Sequence, residues 1–213
     1  MNLNDIFVSR KKDEIPFALE FLTKPLINKP NFIALDLSNN AVGPNGATAI
    51  SGYLEQAKSL KIFLINNCGL GIQGATIIAN ALKKGQVNLE VIAMARNRLE
   101  NDGTKEIASA LKEMTNIKEV HLFQDVIRKD GMIPLLQALS DKKLVTLDIS
   151  DNFINEESVN VFCEFLEKCE TLENLNVSDC NIQEDDNEKI VAALEVILEL
   201  TKVIFYRNQR QNS

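Results

Sequence analysis

A short frame of apolar residues recurs about every 28 residues along this chain, and that recurrence restricts the possible folds more than any single motif does. In Leu89-Glu-Val-Ile-Ala-Met-Ala-Arg-Asn-Arg-Leu99 the first, fourth, sixth and eleventh places are apolar, and the ninth is Asn97. The same frame starts again at Phe32, Leu60, Ile117, Leu144 and Leu172, and in reduced form at Leu200, with steps of 28, 29, 28, 27, 28 and 28 residues. The ninth place reads Asn40, Cys68, Asn97, Asp125, Asn152, Cys180 and Asn208. A short polar side chain turned inward there can bond backbone amides and carbonyls that a tight turn would otherwise bury unpaired. Cysteine suits the same narrow site. A buried, ionised Asp125 would need several donors around it.

This is the long form of the leucine-rich repeat. It predicts an α/β solenoid, a horseshoe or crescent with parallel strands on the concave face and helices on the convex face. Gly46, Gly74 and Gly103 each open a helical segment whose apolar stripe is spaced by four: Ile50 and Leu54, Ile78 and Leu82, Ile107 and Leu111. The small residues are expected to let helix approach strand, and Ser158 and Asn187 in place of glycine should alter their turns locally. A single domain, 1–213, divides into an N-terminal partial or capping repeat (1–31), six repeats (32–199) and an incomplete terminal repeat (200–213). Asp13 is expected to cap the first helix, with acids in its first turn and Pro16 tolerated there. A terminal repeat without a helix calls for cover.

Alternation along each strand sends places four and six inward and five and seven to the concave face. Place five reads Asp36, Leu64, Ala93, His121, Asp148, Asn176 and Ile204. Place seven reads Ser38, Asn66, Ala95, Phe123, Ser150, Ser178 and Tyr206. Place eight, at the rim, reads Asn39, Asn67, Arg96, Gln124, Asp151, Asp179 and Arg207. No serine or cysteine nucleophile is placed beside His121, which reads as a solvated strand histidine. Gly69, Gly71 and Gly74 belong to a repeat turn, not to a phosphate-binding loop. The acids from Glu184 to Glu188 lack the order of a calcium loop and read as a solvated helix start. The four cysteines have no metal-ligand spacing, and with a single histidine they fit a reducing compartment. A net charge of −7 argues against nucleic acid as a partner and favours a basic protein. No apolar run approaches the roughly 20 residues that span a bilayer, so no membrane insertion is expected.

Three segments decorate the repeat at places the scaffold does not require: Ser9-Arg-Lys-Lys-Asp-Glu-Ile-Pro16, Asn66-Asn-Cys-Gly-Leu-Gly71 and Arg96-Asn-Arg-Leu-Glu-Asn-Asp-Gly103. With them the chain resembles the Ran GTPase-activating protein family, from about Ile6 through the sixth repeat. The resemblance implies an activator that binds GTP-loaded Ran, or a related small GTPase, alone or with a Ran-binding protein. It would have no substrate turnover of its own. GTP and magnesium would be carried by the partner, leaving the chain without a cofactor. The resemblance also implies catalysis by holding the partner's glutamine and switch region in geometry, with no inserted arginine.

Residue by residue, the resemblance gives Asn67 the positioning role beside that glutamine and Arg10 a supporting one. Lys11, Lys12, Asn39, Asn66, Arg96, Arg98 and Asp102 are candidates for partner contact; Arg96 and Arg98 could instead brace Asp102 and Glu100. A cytoplasmic location or one at the nuclear periphery follows from the same likeness. Relatives usually carry more repeats, and Phe123-Gln-Asp-Val-Ile127 departs from their pattern. The alternative is a leucine-rich adaptor or inhibitor that binds another protein without accelerating a reaction, which is all that a solenoid surface by itself implies.

Overall fold

The computed structural model describes residues 1–7, 10–27, 29–85, 87–195, 197 and 200–205. Ser9 of the first decorated segment, and Tyr206, Arg207 and Asn208 of the terminal repeat, lie outside the described residues. Seven parallel strands form one sheet in strict chain order: β1 (Ala34–Asp36), β2 (Ile62–Leu64), β3 (Val91–Ala93), β4 (Glu119–His121), β5 (Thr146–Asp148), β6 (Asn174–Asn176) and β7 (Lys202–Ile204). Equal places pair across the sheet: Leu35 with Phe63, Phe63 with Ile92, Ile92 with Val120, and so on to Leu175 with Val203. The unequal step of 29 residues leaves this register intact, because the extra residue lies between one strand and the next.

Helix α1 (Ile15–Thr23) precedes the sheet, and α2 (Gly43–Leu54), α3 (Gly71–Gly85), α4 (Glu100–Glu113), α5 (Lys129–Leu139), α6 (Glu156–Lys168) and α7 (Asn187–Leu194) connect successive strands. Each helix packs on its sequence neighbours. The core lies between sheet and helices. Places four and six from Leu35 to Val177 are buried, as are Ile50, Leu54, Ile78, Leu82, Ile107 and Leu111 on the predicted stripes. Together these elements make a leucine-rich repeat solenoid.

Met1–Asp5 lies along the first strand: Leu3 N donates to Asp36 O at 2.8 Å and Asp5 N to Ser38 O at 3.0 Å. These bonds satisfy backbone groups on that edge of the sheet that would otherwise be left without a strand partner.

Three local expectations are corrected. Asp13 does not cap α1. Glu14 holds the cap position with no side-chain bond, Pro16 occupies the first turn, and no acid follows there. The recurrent glycines set the spacing between helices and their own turns, not between helix and strand. A Cβ on Gly103 would stand 3.1 Å from Ala75 Cβ, and one on Gly131 2.9 Å from Asn101 Cα, both on the preceding helix. A Cβ on Gly74 would meet Leu70 at 2.9 Å. The acids before α7 form a separate 3-10 turn, Glu184–Asp186, in which buried Asp186 pairs with Lys189 at 3.1 Å.

At Ser158 the expected change of turn is present. Its hydroxyl accepts from Asn155 N at 2.9 Å, and its amide donates to Asn155 O at 2.7 Å, closing the start of α6 with side-chain chemistry that glycine lacks.

Candidate functional site

The inward ninth place holds each turn together by one rule. A side-chain donor reaches the sixth-place carbonyl of the preceding repeat. Asn97 Nδ2 donates to Ile65 O at 2.7 Å, Asn152 Nδ2 to Leu122 O at 2.8 Å, Cys68 Sγ to Leu37 O at 3.1 Å and Cys180 Sγ to Ile149 O at 3.2 Å. Asn40 Nδ2 reaches Leu3 O at 2.8 Å, so Met1–Asp5 is clasped as a preceding repeat would be. Asparagine also accepts: Asn97 Oδ1 takes the amides of Cys68 at 2.9 Å and Leu70 at 3.3 Å. The thiols are structural. Burial pushes Cys68 and Cys180 up to about 12 and Cys169 up to about 11.

Asp125 departs from this rule. Its side chain is fully buried, one oxygen accepts from Asn97 N at 2.7 Å, and Oδ2 has no partner among the described residues. Burial raises its pKa to about 7, against the opposing pull of backbone donors at Asn97, Leu99 and Arg98. Burial thus holds the proton on this carboxyl to a far higher pH than water would.

One residue before each inward side chain, the chain turns left-handed. Asn39, Asn67, Arg96, Gln124, Asp151 and Asp179, all at place eight, have φ between 52° and 59°. This conformation throws the side chain outward at the rim, and it suits asparagine and aspartate, whose short polar groups bond locally. It does not favour arginine or glutamine. Place ten is left-handed at Gly69, Arg98, Val126 and Asn181, and place twelve at Gly43, Gly71 and Glu100. The stretch from Arg96 to Glu100 thus carries three strained non-glycine residues in five, whereas the corresponding turn from Asn67 to Gly71 uses glycine for two of the three.

The predicted residues fall into three groups along this rim. Asn67 is exposed, and its Nδ2 donates to Asn39 Oδ1 at 3.0 Å; Asn39 Nδ2 in turn donates to Asn4 Oδ1 at 3.4 Å. Asn66 lies on the sheet face behind, where its Oδ1 accepts from Ala95 N at 2.9 Å. Arg10, Lys11 and Lys12 are exposed on the loop before α1. That loop is tied toward the rim, since Arg10 N donates to Phe7 O and Phe7 N to Asn40 Oδ1, both at 3.0 Å.

Arg96 and Arg98 do reach outward. Arg96 lies over the Phe123 ring, 5.6 Å from its centre. Neither arginine braces Asp102 or Glu100 among the described residues, because Asp102 is taken by Lys105 at 3.0 Å. Asp102 also lines an open groove of about 390 Å³ with Ile72, Glu100, Asn101, Lys105, Val126, Arg128 and Asp130. Sequence reasoning did not single out this groove, whose lining comes from the turns and helix starts of three successive repeats. His121 has the Glu119 carboxylate 3.6 Å from Nε2. Among the described residues no group of acids, histidines and cysteines could hold a metal ion, and no helix is long and apolar enough to cross a membrane.

A model described as "Leucine Rich repeat" matches residues 28–51 and 168–187. The chain is 30% identical over 204 residues to Ran GTPase-activating protein 1 of Saccharomyces cerevisiae, covering 89% of this chain and 50% of that protein. It is 38% identical over 136 residues to Ran GTPase-activating protein 1 of Xenopus laevis, covering 58% of this chain and 23% of that protein. The Ran GTPase-activating protein of Drosophila melanogaster is 36% identical over 146 residues, covering 63% of this chain and 24% of that protein. The chain thus spans half or less of the length of these relatives. With homology over most of its length, the chain belongs to the Ran GTPase-activating protein family.

Proposed function

We propose that this chain activates GTP hydrolysis by Ran or a related small GTPase, with Asn67 as the residue that positions the partner's catalytic machinery. The observation that carries the reading is homology to Ran GTPase-activating proteins across 89% of the chain. The rim geometry supports it. Asn67 is exposed, and its backbone is held by the bond from its N–H to Ala95 O at 2.8 Å. An amide so held can accept from, or donate to, a glutamine side chain, ordering a water for attack without supplying charge. Arg10 would support the contact from the neighbouring loop, and Lys11, Lys12, Asn39, Asn66, Arg96, Arg98 and Asp102 would extend it. GTP and magnesium come with the GTPase. The reading places this work in the cytoplasm or at the nuclear periphery.

Single-turnover hydrolysis of GTP on loaded Ran, with and without the folded chain, tests it. Acceleration is expected, and Asn67→Gly should lower it by about tenfold or more while keeping the left-handed turn. No acceleration by a folded sample rejects the activator reading. Saturable binding to the GTPase without acceleration would favour the adaptor.

A further inference from the structure

We infer that Asn39 and Asn4 are positioning residues for Asn67: the three side chains form a hydrogen-bonded ladder that decides which end of the Asn67 amide is offered to a partner. This rests on the activator reading for its functional consequence, though not for its geometry.

An exposed asparagine can turn its amide over, exchanging a carbonyl oxygen for an NH₂ group at almost the same point in space. A residue that must align another protein's glutamine needs that choice made in advance. Along the rim the choice is made from the N-terminal side. The half-buried Asn4 sits between two backbone bonds to the first repeat, Leu3 N to Asp36 O and Asp5 N to Ser38 O. Its own amide N–H donates to Asn2 Oδ1 at 2.9 Å. Asn4 Oδ1 accepts from Asn39, which turns the oxygen of Asn39 toward Asn67, and that oxygen accepts one Asn67 N–H. Asn39 both donates and accepts, and Asn4 fixes which way round; an aspartate there would lose the bond to Asn4 but offer Asn67 an oxygen in either orientation.

The backbones of Asn39 and Asn67 share the left-handed turn, and Asn39 N donates to Asn66 O at 2.8 Å. What remains on Asn67 is its Oδ1 and a single N–H. That Oδ1 can accept from a donor such as the NH₂ of a glutamine, whose own carbonyl oxygen is then left to accept from water.

The test compares Asn39→Gly with Asn39→Asp. Both tolerate φ of 59°. Only aspartate keeps an oxygen for Asn67. Asn39→Gly should lower the maximal rate of Ran-bound GTP hydrolysis by about tenfold, with a smaller change in half-saturating concentration, and Asn39→Asp should stay within about threefold of the wild type in maximal rate.

A second measurement reads the geometry without any activity: the NMR chemical-shift difference between the two Asn67 δ-amide protons, assigned with Asn67→Gly. It should shrink to that of a free asparagine in Asn39→Gly and persist in Asn39→Asp. An unchanged Asn67 signal in Asn39→Gly overturns the ladder. Equal rates for the wild type and Asn39→Gly overturn its positioning role while leaving the activator reading intact. If the wild type gives no acceleration, the activator reading fails by itself, and the NMR comparison alone decides the ladder.

Discussion

Asn97 donates its backbone N–H to Oδ1 of Asp125 at 2.7 Å, while Oδ2 of the same carboxyl is buried with no partner among the described residues. At the equivalent position Asn40, Cys68, Asn97, Asn152 and Cys180 each present a donor to the preceding strand's carbonyl. By that rule a donor at position 125 would serve Met94 O, and a carboxyl can donate there only as its neutral acid. An ionised Oδ2 would set a charge against a carbonyl in the core.

A pH dependence of stability follows. The folded value of Asp125 is raised to about 7, against about 4 in an unfolded chain. Below pH 4 both states hold the proton. Between about 4 and 7 only the folded state does, so stability falls with rising pH and then levels off, by about 4 kcal/mol in all. Asp125→Asn, which restores the donor, should remove this slope. Urea titrations should find it about 2–4 kcal/mol more stable than the wild type at pH 8, with the difference nearly gone at pH 4.5. Equal stability at both pH values would show that the buried carboxyl costs nothing when ionised.

Left-handed turns at unsuited residues give a second expectation. Val126, with φ of 61°, and Arg98, with φ of 55°, occupy the position where the second repeat has Gly69. Val126→Gly should raise stability by about 1 kcal/mol, or roughly 2–4 °C in melting temperature for a chain of this size. Arg98→Gly should do the same while weakening activation of the GTPase, so that stability and activity move in opposite directions. Calorimetry beside the hydrolysis assay checks both.

Glycines divide by what stands in front of them. Gly52, inside α2, has nothing within 4 Å of an added Cβ, whereas Gly131 would meet the Asn101 backbone at 2.9 Å. Gly52→Ala should therefore stabilise by about 1 kcal/mol through helix propensity. Gly131→Ala should destabilise by about 1–3 kcal/mol, because α4 and α5 would have to separate. Melting temperatures moving in the same direction would contradict this account of helix spacing.

Thiol reactivity should follow burial. Cys68, Cys169 and Cys180 are buried, and burial raises the thiol values of all four cysteines. Alkylation of the native chain at pH 7.5, read by mass spectrometry, should modify Cys163 slowly and the other three only on unfolding. Rapid native labelling of Cys68 would mean that the turn beneath Asn67 opens readily.

Much of this architecture was legible in the sequence because the repeat states each requirement several times. Leu35, Phe63, Ile92, Val120, Leu147 and Leu175 make the same demand on the core, and five inward ninth places repeat one hydrogen-bonding rule. Features set by a single residue were not legible. The cap expected at Asp13 failed because the helix begins two residues later. The partners of Gly103 and Gly131 depend on which neighbour comes nearest, and spacing along a chain carries no such information. Left-handed arginine and valine cannot be foreseen from residue types that avoid that conformation. Asn4 lies outside the six repeats, so its place beside Asn39 emerged only from the bonds of the folded N-terminus.

Because equal places pair strand to strand, the rim is graduated in steps of about 4.8 Å, the separation of hydrogen-bonded strands. Excising one whole repeat would slide every later rim residue by one step and leave its own turn unchanged. The address of Asn67 along the rim is thus an integer, set by how many turns of the solenoid precede it, and it can be changed by whole units but not tuned between them.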